Sequence, residues 1–103
     1  MKSKADKEKK LVKLFGSTSR ARILNFLCSH FGQSFYQREI MYETGLSLQA
    51  VQRELGNLAE LEIVKKRETN ARVYYQINTA STFFKPLKEI CVLAQGEGIS
   101  KSD

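Results

Sequence analysis

Ser47, Gln49, Gln52 and Arg53 lie close together in the stretch TGLSLQAVQREL, residues 44–55. Their side chains suit the edges and phosphates of a nucleic acid. A Gln amide bonds bidentately to adenine and an Arg guanidinium to guanine O6 and N7. Each good bidentate pair is worth ~1 to 3 kcal/mol of discrimination. Ser47, with the exposed amides of a helix's first turn, suits a phosphate, because a helix N-terminus is already an anion site. Downstream, Lys65, Lys66, Arg67 and Arg72, with Asn70 between them, outnumber Glu62 and Glu68 over residues 62–72. Phosphate contacts dominate sequence-independent affinity, so these residues are the expected backbone contacts. Arg38 completes the set of candidate DNA-binding side chains.

Catalytic chemistry has little to work with. The aspartates are Asp6 and Asp103, near the two ends, and the single histidine is His30. Gly16, Ser17 and Thr18 in LFGSTSR resemble the opening of a nucleotidyltransferase site, but no paired acids follow to hold a metal. They read instead as the stop of one helix and the cap of the next. His30, near a helix end, reads as a surface residue or a partner of the helix dipole. Cys28 and Cys91 fall on different helices with no histidine cluster beside them, which leaves zinc without local support. Two buried small hydrophobes are the simplest reading of them, and a thiol switch the sharper alternative. No enzyme activity, metal or cofactor is expected.

The elements that must position these residues follow from apolar spacing. Leu11, Val12, Leu14 and Phe15 form a short amphipathic run stopped by Gly16. From Arg20, the residues Ile23, Leu24, Leu27 and Phe31 recur at helical spacing as far as Gly32. Ser34 to Tyr36 reads as a short extended link. Gln37 to Thr44 carries Ile40 and Met41 on one side and ends at Gly45, which can take the left-handed conformation of a helix C-cap. With Ser47 as N-cap and Leu46 stapled onto Val51, a further helix runs through an inward stripe of Val51, Leu55, Leu58 and Leu61. Gln49, Gln52 and Arg53 are left outside. Val73, Tyr75 and Ile77 alternate with Tyr74 and Gln76, so 73–77 is a half-buried strand and Thr69 to Arg72 the tip of a hairpin. A last helix begins near Thr82 and ends before Gly96, with Pro86 early in it where a missing amide is tolerated.

Two short helices joined by a glycine-containing turn are a helix-turn-helix, and the hairpin makes it winged. The expected fold class is therefore mainly α with a small β-hairpin, in the order α-α-α-α-β-β-α. The expected organisation is a basic mobile tail at 1–10, one winged helix-turn-helix domain at 11–95 and a C-terminal tail at 96–103. The chain has 103 residues, 42% hydrophobic and 27% charged, with a formal net charge of +6. That is the profile of a globular protein with a single modest core. Much of the positive charge lies in MKSKADKEKKLVK, residues 1–13. This segment lacks the apolar centre of a signal peptide, no apolar run reaches membrane-spanning length, and a cytoplasmic location with reduced thiols is expected. From Phe35 to Leu61 carboxylates outnumber arginines, so bulk attraction cannot hold that part on DNA.

The stretches LFGSTSRARILNFL (14–27), YQREIMYETGLSLQAVQRELGNLAELEIVKKRE (36–68) and VYYQIN (73–78) resemble the winged-helix transcription regulators of the arsenical-repressor type, the ArsR-like family. The resemblance implies that the helix at Ser47 to Leu61 enters the major groove, that the wing at Lys65 to Tyr74 lies on the backbone or minor groove, and that the outer helices pair two subunits. Metal-sensing members carry a cysteine pair in the helix before the recognition helix. QREIMYETG has none, which argues against a metal sensor of that type. A similar winged helix also fronts proteins with a nucleotidyltransferase-like domain, so docking onto a separately encoded protein is the alternative to DNA binding.

The outer helices hold more apolar residues than one small core absorbs. Leu11, Leu14, Phe15, Phe83, Phe84, Leu87, Ile90 and Leu93 are the expected surface of a homodimer. Two recognition helices about 34 Å apart would then compensate for the few phosphate contacts of each subunit. A homodimeric repressor on double-stranded DNA is the function expected.

Overall fold

The computed structural model describes residues 4–95. Helix α1 spans Lys4–Phe15, α2 Thr18–Ser29, strand β1 Phe35–Tyr36, α3 Gln37–Thr44, α4 Leu48–Glu60, β2 Val64–Thr69, β3 Arg72–Ile77 and α5 Phe84–Gln95. The architecture is a winged helix: a helical body flanked by a three-stranded antiparallel sheet in the order β1-β3-β2.

Local signals explain most of the boundaries. Gly16 takes φ 71° and donates its N–H to Val12 O at 2.7 Å, closing α1. Ser17 then caps α2, its hydroxyl accepting the Arg20 N–H at 3.1 Å. Gly45, at φ 72°, ends α3 with an N–H bond to Met41 O. Ser47 caps α4 by accepting the Ala50 N–H at 3.2 Å. Leu46 packs on the cluster that contains Val51, as a hydrophobic staple requires. Arg22 ties the turn to α2 by donating from Nη1 to Thr44 O at 3.3 Å.

Several expectations need correction. Helix α1 reaches back to Lys4, into the stretch read as a mobile tail, because Lys, Glu, Ala and Leu are all strong helix formers. Helix α2 stops at Ser29, short of Gly32, and α5 starts at Phe84 rather than near Thr82. The extended link is a true strand: Phe35 pairs with Tyr75 and Tyr36 with Tyr74. The tail proposed at 96–103 lies outside the described residues.

The end of α4 departs most from its sequence signal. Glu62 sits at φ 61° with no glycine in sight. Its N–H reaches Ala59 O, and the Ile63 N–H reaches Leu58 O at 2.9 Å, the paired bonds of a Schellman motif. Leu58 and Ile63 are both buried in the core, so the apolar contact that accompanies this motif holds Glu62 in a left-handed conformation. Leu61 is consequently left at the helix end, 47% exposed, instead of completing the inward stripe.

The main core joins Ile23, Leu24, Leu27 and Cys28 of α2, Ile40 of α3, and Val51, Leu55 and Leu58 of α4. Ile63, Val64 and Ile77 close it from the sheet side, and Leu87 and Cys91 from α5. Both cysteines are buried here, as small hydrophobes would be. A second cluster forms where α1, α2 and α5 meet, on Leu11, Ala21 and Ala94. The two alanines let these helices approach closely.

Candidate nucleic-acid interface

Burial of one face of α4 decides what the other face offers. Val51, Glu54, Leu55 and Leu58 point inward, at the i, i+3, i+4, i+7 positions of a helical stripe. Gln49, Gln52 and Arg53 are exposed, and share a face through their own i, i+3, i+4 spacing. Ser47 is exposed at the cap, and Arg38 is exposed on α3.

Glu54 was not foreseen, although it occupies the i+3 slot of the apolar stripe and could have been noticed there. Its side chain is 5% exposed, and Oε1 accepts a bond from Arg20 Nε at 2.7 Å. Its second oxygen faces Arg53 Nε at 3.4 Å. A buried carboxylate persists only when paired, and here two guanidinium groups supply the pairing. One consequence is local neutralisation: an acid counted against the helix-turn-helix is spent internally. Another is that Arg53, a candidate base reader, is held at its root by the residue beside it in sequence.

The wing carries Lys65, Lys66, Arg67 and Arg72 exposed on β2 and β3. Asn70 and Ala71 form its tip, with φ 49° and 65°, the two left-handed residues of a type I′ turn. Lys66 Nζ lies 3.7 Å from Glu68 Oε2 in an exposed pair. Arg72 does not extend toward the tip. It donates from Nη1 to the Tyr36 hydroxyl at 2.8 Å, its guanidinium carbon 5.8 Å from the Tyr36 ring centre. Tyr36 in turn stacks on Tyr74, centroids 4.6 Å apart, with the two hydroxyls 2.9 Å apart.

This cluster titrates unusually. Hydrogen bonds from Tyr74 and then Arg72 hold the Tyr36 phenol below its ordinary range. Tyr74, bonded to Tyr36, is pushed up, and Arg72 is raised by its bond to Tyr36. Alternation along β3 had placed Tyr74 on the outer face, but its partner Tyr36 lies 38 residues away, and only the sheet brings them together.

His30 caps the end of α2, half-buried, its Nδ1 2.8 Å from Phe26 O. The ring packs on Phe26 and Phe35. Among the described residues no group of three or more His, Cys, Asp and Glu is placed to hold a metal ion. Nor is any described helix long and apolar enough to cross a membrane.

The candidate dimer residues divide. Leu11, at 1% exposure, and Leu87 are buried within the chain and are corrected out of the interface. Phe15 and Phe84 are half-buried against the main core, and Ile90 against the second cluster. Leu14, Phe83 and Leu93 stay exposed, joined by Val92, which the sequence reading had not singled out. Tyr42 on α3 and Leu48 at the start of α4 are further exposed apolar side chains.

No protein-family model matches the chain, and no curated protein matches it. Among solved structures it is similar to HlyU from Vibrio cholerae N16961 at a TM-score of 0.58 and 22% sequence identity, over 90% of this chain and 92% of that one. The likeness extends over nearly the whole of both chains and shows that they share a fold, which in this chain is a winged helix with five helices and a small antiparallel sheet among the described residues.

Proposed function

We propose that the chain is a transcription regulator that reads duplex DNA through α4. The observation that carries this reading is the division of α4: Val51, Leu55 and Leu58 are buried while Gln49, Gln52 and Arg53 stand exposed behind a Ser47 cap. An exposed row of amide and guanidinium groups on the second helix of a helix-turn-helix matches the donor and acceptor pattern of a major groove. The winged-helix fold shared with HlyU supports it. The protein acts as a homodimer through Leu14, Phe83, Val92 and Leu93, and represses by covering a promoter.

Selection of bound duplexes from a random pool tests the proposal. The expected winner is a pseudo-palindrome with half-sites about one turn, roughly 34 Å, apart. Arg53→Ala should relax preference at one base pair per half-site by ~1 to 3 kcal/mol. Recovery of no motif would defeat the reading. It would favour the second one, docking onto a separately encoded protein, which rests on exposed Tyr42 and Leu48 on the same two helices.

A further inference from the structure

Arg53 differs from Gln49 and Gln52 in having a partner inside the chain. Its side chain is 58% exposed, yet Nε donates to Glu54 Oε2 at 3.4 Å. Successive residues of a helix do not face each other, so a bond between positions 53 and 54 is not a default of α4. It forms because the Glu54 carboxylate is turned. Arg20 Nε holds Oε1 at 2.7 Å, which fixes the carboxylate and presents its other oxygen to Arg53.

Arg20 is well placed to do this. Its backbone N–H is bonded to the Ser17 cap at 3.1 Å, and α2 shares the main core with α4 through Leu24, Leu27, Leu55 and Leu58. The three charges therefore form a chain of contacts that begins in a fixed helix turn and ends on the exposed face of α4. A buried ion pair adds little net stability, because the cost of desolvation offsets the attraction. What this one supplies is direction.

Direction matters for an arginine near DNA. A guanidinium can grip guanine or a phosphate from its side, through Nε and one Nη, or from its end, through both Nη groups. Nε of Arg53 is committed to Glu54, which leaves the end to a partner. Contacts to phosphate carry no sequence information, and a loose arginine is free to swing to one. An arginine held at its root keeps its fork on the face it shares with Gln49 and Gln52, and loses less rotamer freedom on binding.

We propose that Glu54 and Arg20 are positioning residues that set the sequence specificity of α4. Glu54 is buried and cannot touch DNA itself. Fixed by Arg20, it holds Arg53 at Nε, so that the Nη fork takes guanine O6 and N7 end-on and is kept from the phosphates. The inference rests on the reading of α4 as the DNA-contacting helix.

The test uses the full chain and the duplex it selects from a random pool, at the base pair whose preference Arg53→Ala removes. Exchange of that pair is expected to weaken binding of the unaltered chain by about 10-fold or more. Glu54→Gln keeps the side-chain shape and removes its charge. It should reduce that discrimination to about twofold and steepen the slope of log affinity against log salt by ~0.9, as the released guanidinium turns to a phosphate. Discrimination at the pairs read by Gln49 and Gln52 should stay intact. Arg20→Met should also lose the discrimination, but with weaker binding and no steeper slope, because Glu54 then draws Arg53 inward as its remaining partner. Arg20→Lys keeps a cation on Oε1 and should retain the discrimination. The two Arg20 variants carry the test if Glu54→Gln does not fold.

A discrimination unchanged by Glu54→Gln would overturn the inference. So would an equal fall in affinity for every duplex with no change of slope, which is what a loss of folding stability alone would give. If Glu54→Gln does not fold, equal discrimination by the Arg20→Met and Arg20→Lys variants overturns it. A selected motif in which no pair depends on Arg53, or whose Arg53 pair is indifferent to Glu54, defeats this inference and leaves the reading of α4 standing. Selection of no motif defeats that reading, and this inference with it.

Discussion

Glu54 shows how one residue can serve both the fold and the site. Its carboxylate is buried, bonded to Arg20 and close to Arg53. Removing Arg20 leaves that charge with only the longer contact, so Arg20→Ala is expected to cost about 1 to 3 kcal/mol in urea unfolding. Replacing the carboxylate as well, with Glu54→Leu, should recover much of the loss, because a buried pair exchanged for a hydrophobe is often near neutral. A double variant no more stable than Arg20→Ala would show that the pair contributes something other than mutual neutralisation. The Tyr36–Tyr74 pair is legible by titration. Tyr36 is held low and Tyr74 high, so an ultraviolet pH titration should resolve one phenol ionising before the ordinary tyrosine range and one after it. The sign for stability follows. The lowered Tyr36 favours the folded state as pH rises through its folded pKa, and the raised Tyr74 opposes it at higher pH. Tyr36→Phe should abolish the early step and bring Tyr74 back toward its usual value.

Among the elements, the turns hold the clearest strain. Ala71 occupies a left-handed position of the hairpin tip at φ 65°, where an L side chain costs roughly 1 to 2 kcal/mol. Asn-Gly is the preferred pair for a type I′ turn, and Asn70 is already present. Ala71→Gly is therefore expected to stabilise the protein by about 1 kcal/mol, read as a higher Tm. A lower Tm would mean that the tip does not hold this turn in solution. The helix caps Ser17, Gly45 and Ser47 were legible in the sequence because each is a local device, complete within a few residues. The Schellman end of α4 was not legible. Its left-handed residue is Glu62, and what holds it there is burial of Leu58 and Ile63 in a core that includes other helices.

At the scale of the whole molecule, the core leaves several large apolar residues of the outer helices in solvent. Leu14 is 60% and Leu93 57% exposed, on the first and last helices. In the homodimer we propose, these residues meet their copies. Leu93→Glu should then convert the sedimenting species to monomer and weaken binding to a pseudo-palindrome, with the monomer's fold retained because the residue lies outside the core. Unchanged sedimentation of a dimer would remove α5 from the interface.

Periodicity and caps, read from the sequence, determined the helix-turn-helix, the hairpin and the exposure of Gln49, Gln52 and Arg53 on α4. These are local properties: a helix repeats every 3.6 residues and a strand every two, so an apolar stripe assigns the opposite face as well. Tertiary structure decided what depends on residues far apart in the chain. It buried Leu11 and Leu87, placed Glu54 between Arg20 and Arg53, and recruited Phe35 and Tyr36 as a third strand. It also set the register that places Lys65 and Lys66, adjacent in sequence, on opposite faces of one hairpin. Pairing across strands is a long-range choice, made by the packing of Val64, Tyr75 and Ile77 on the core, and a shift of one residue would exchange the two faces.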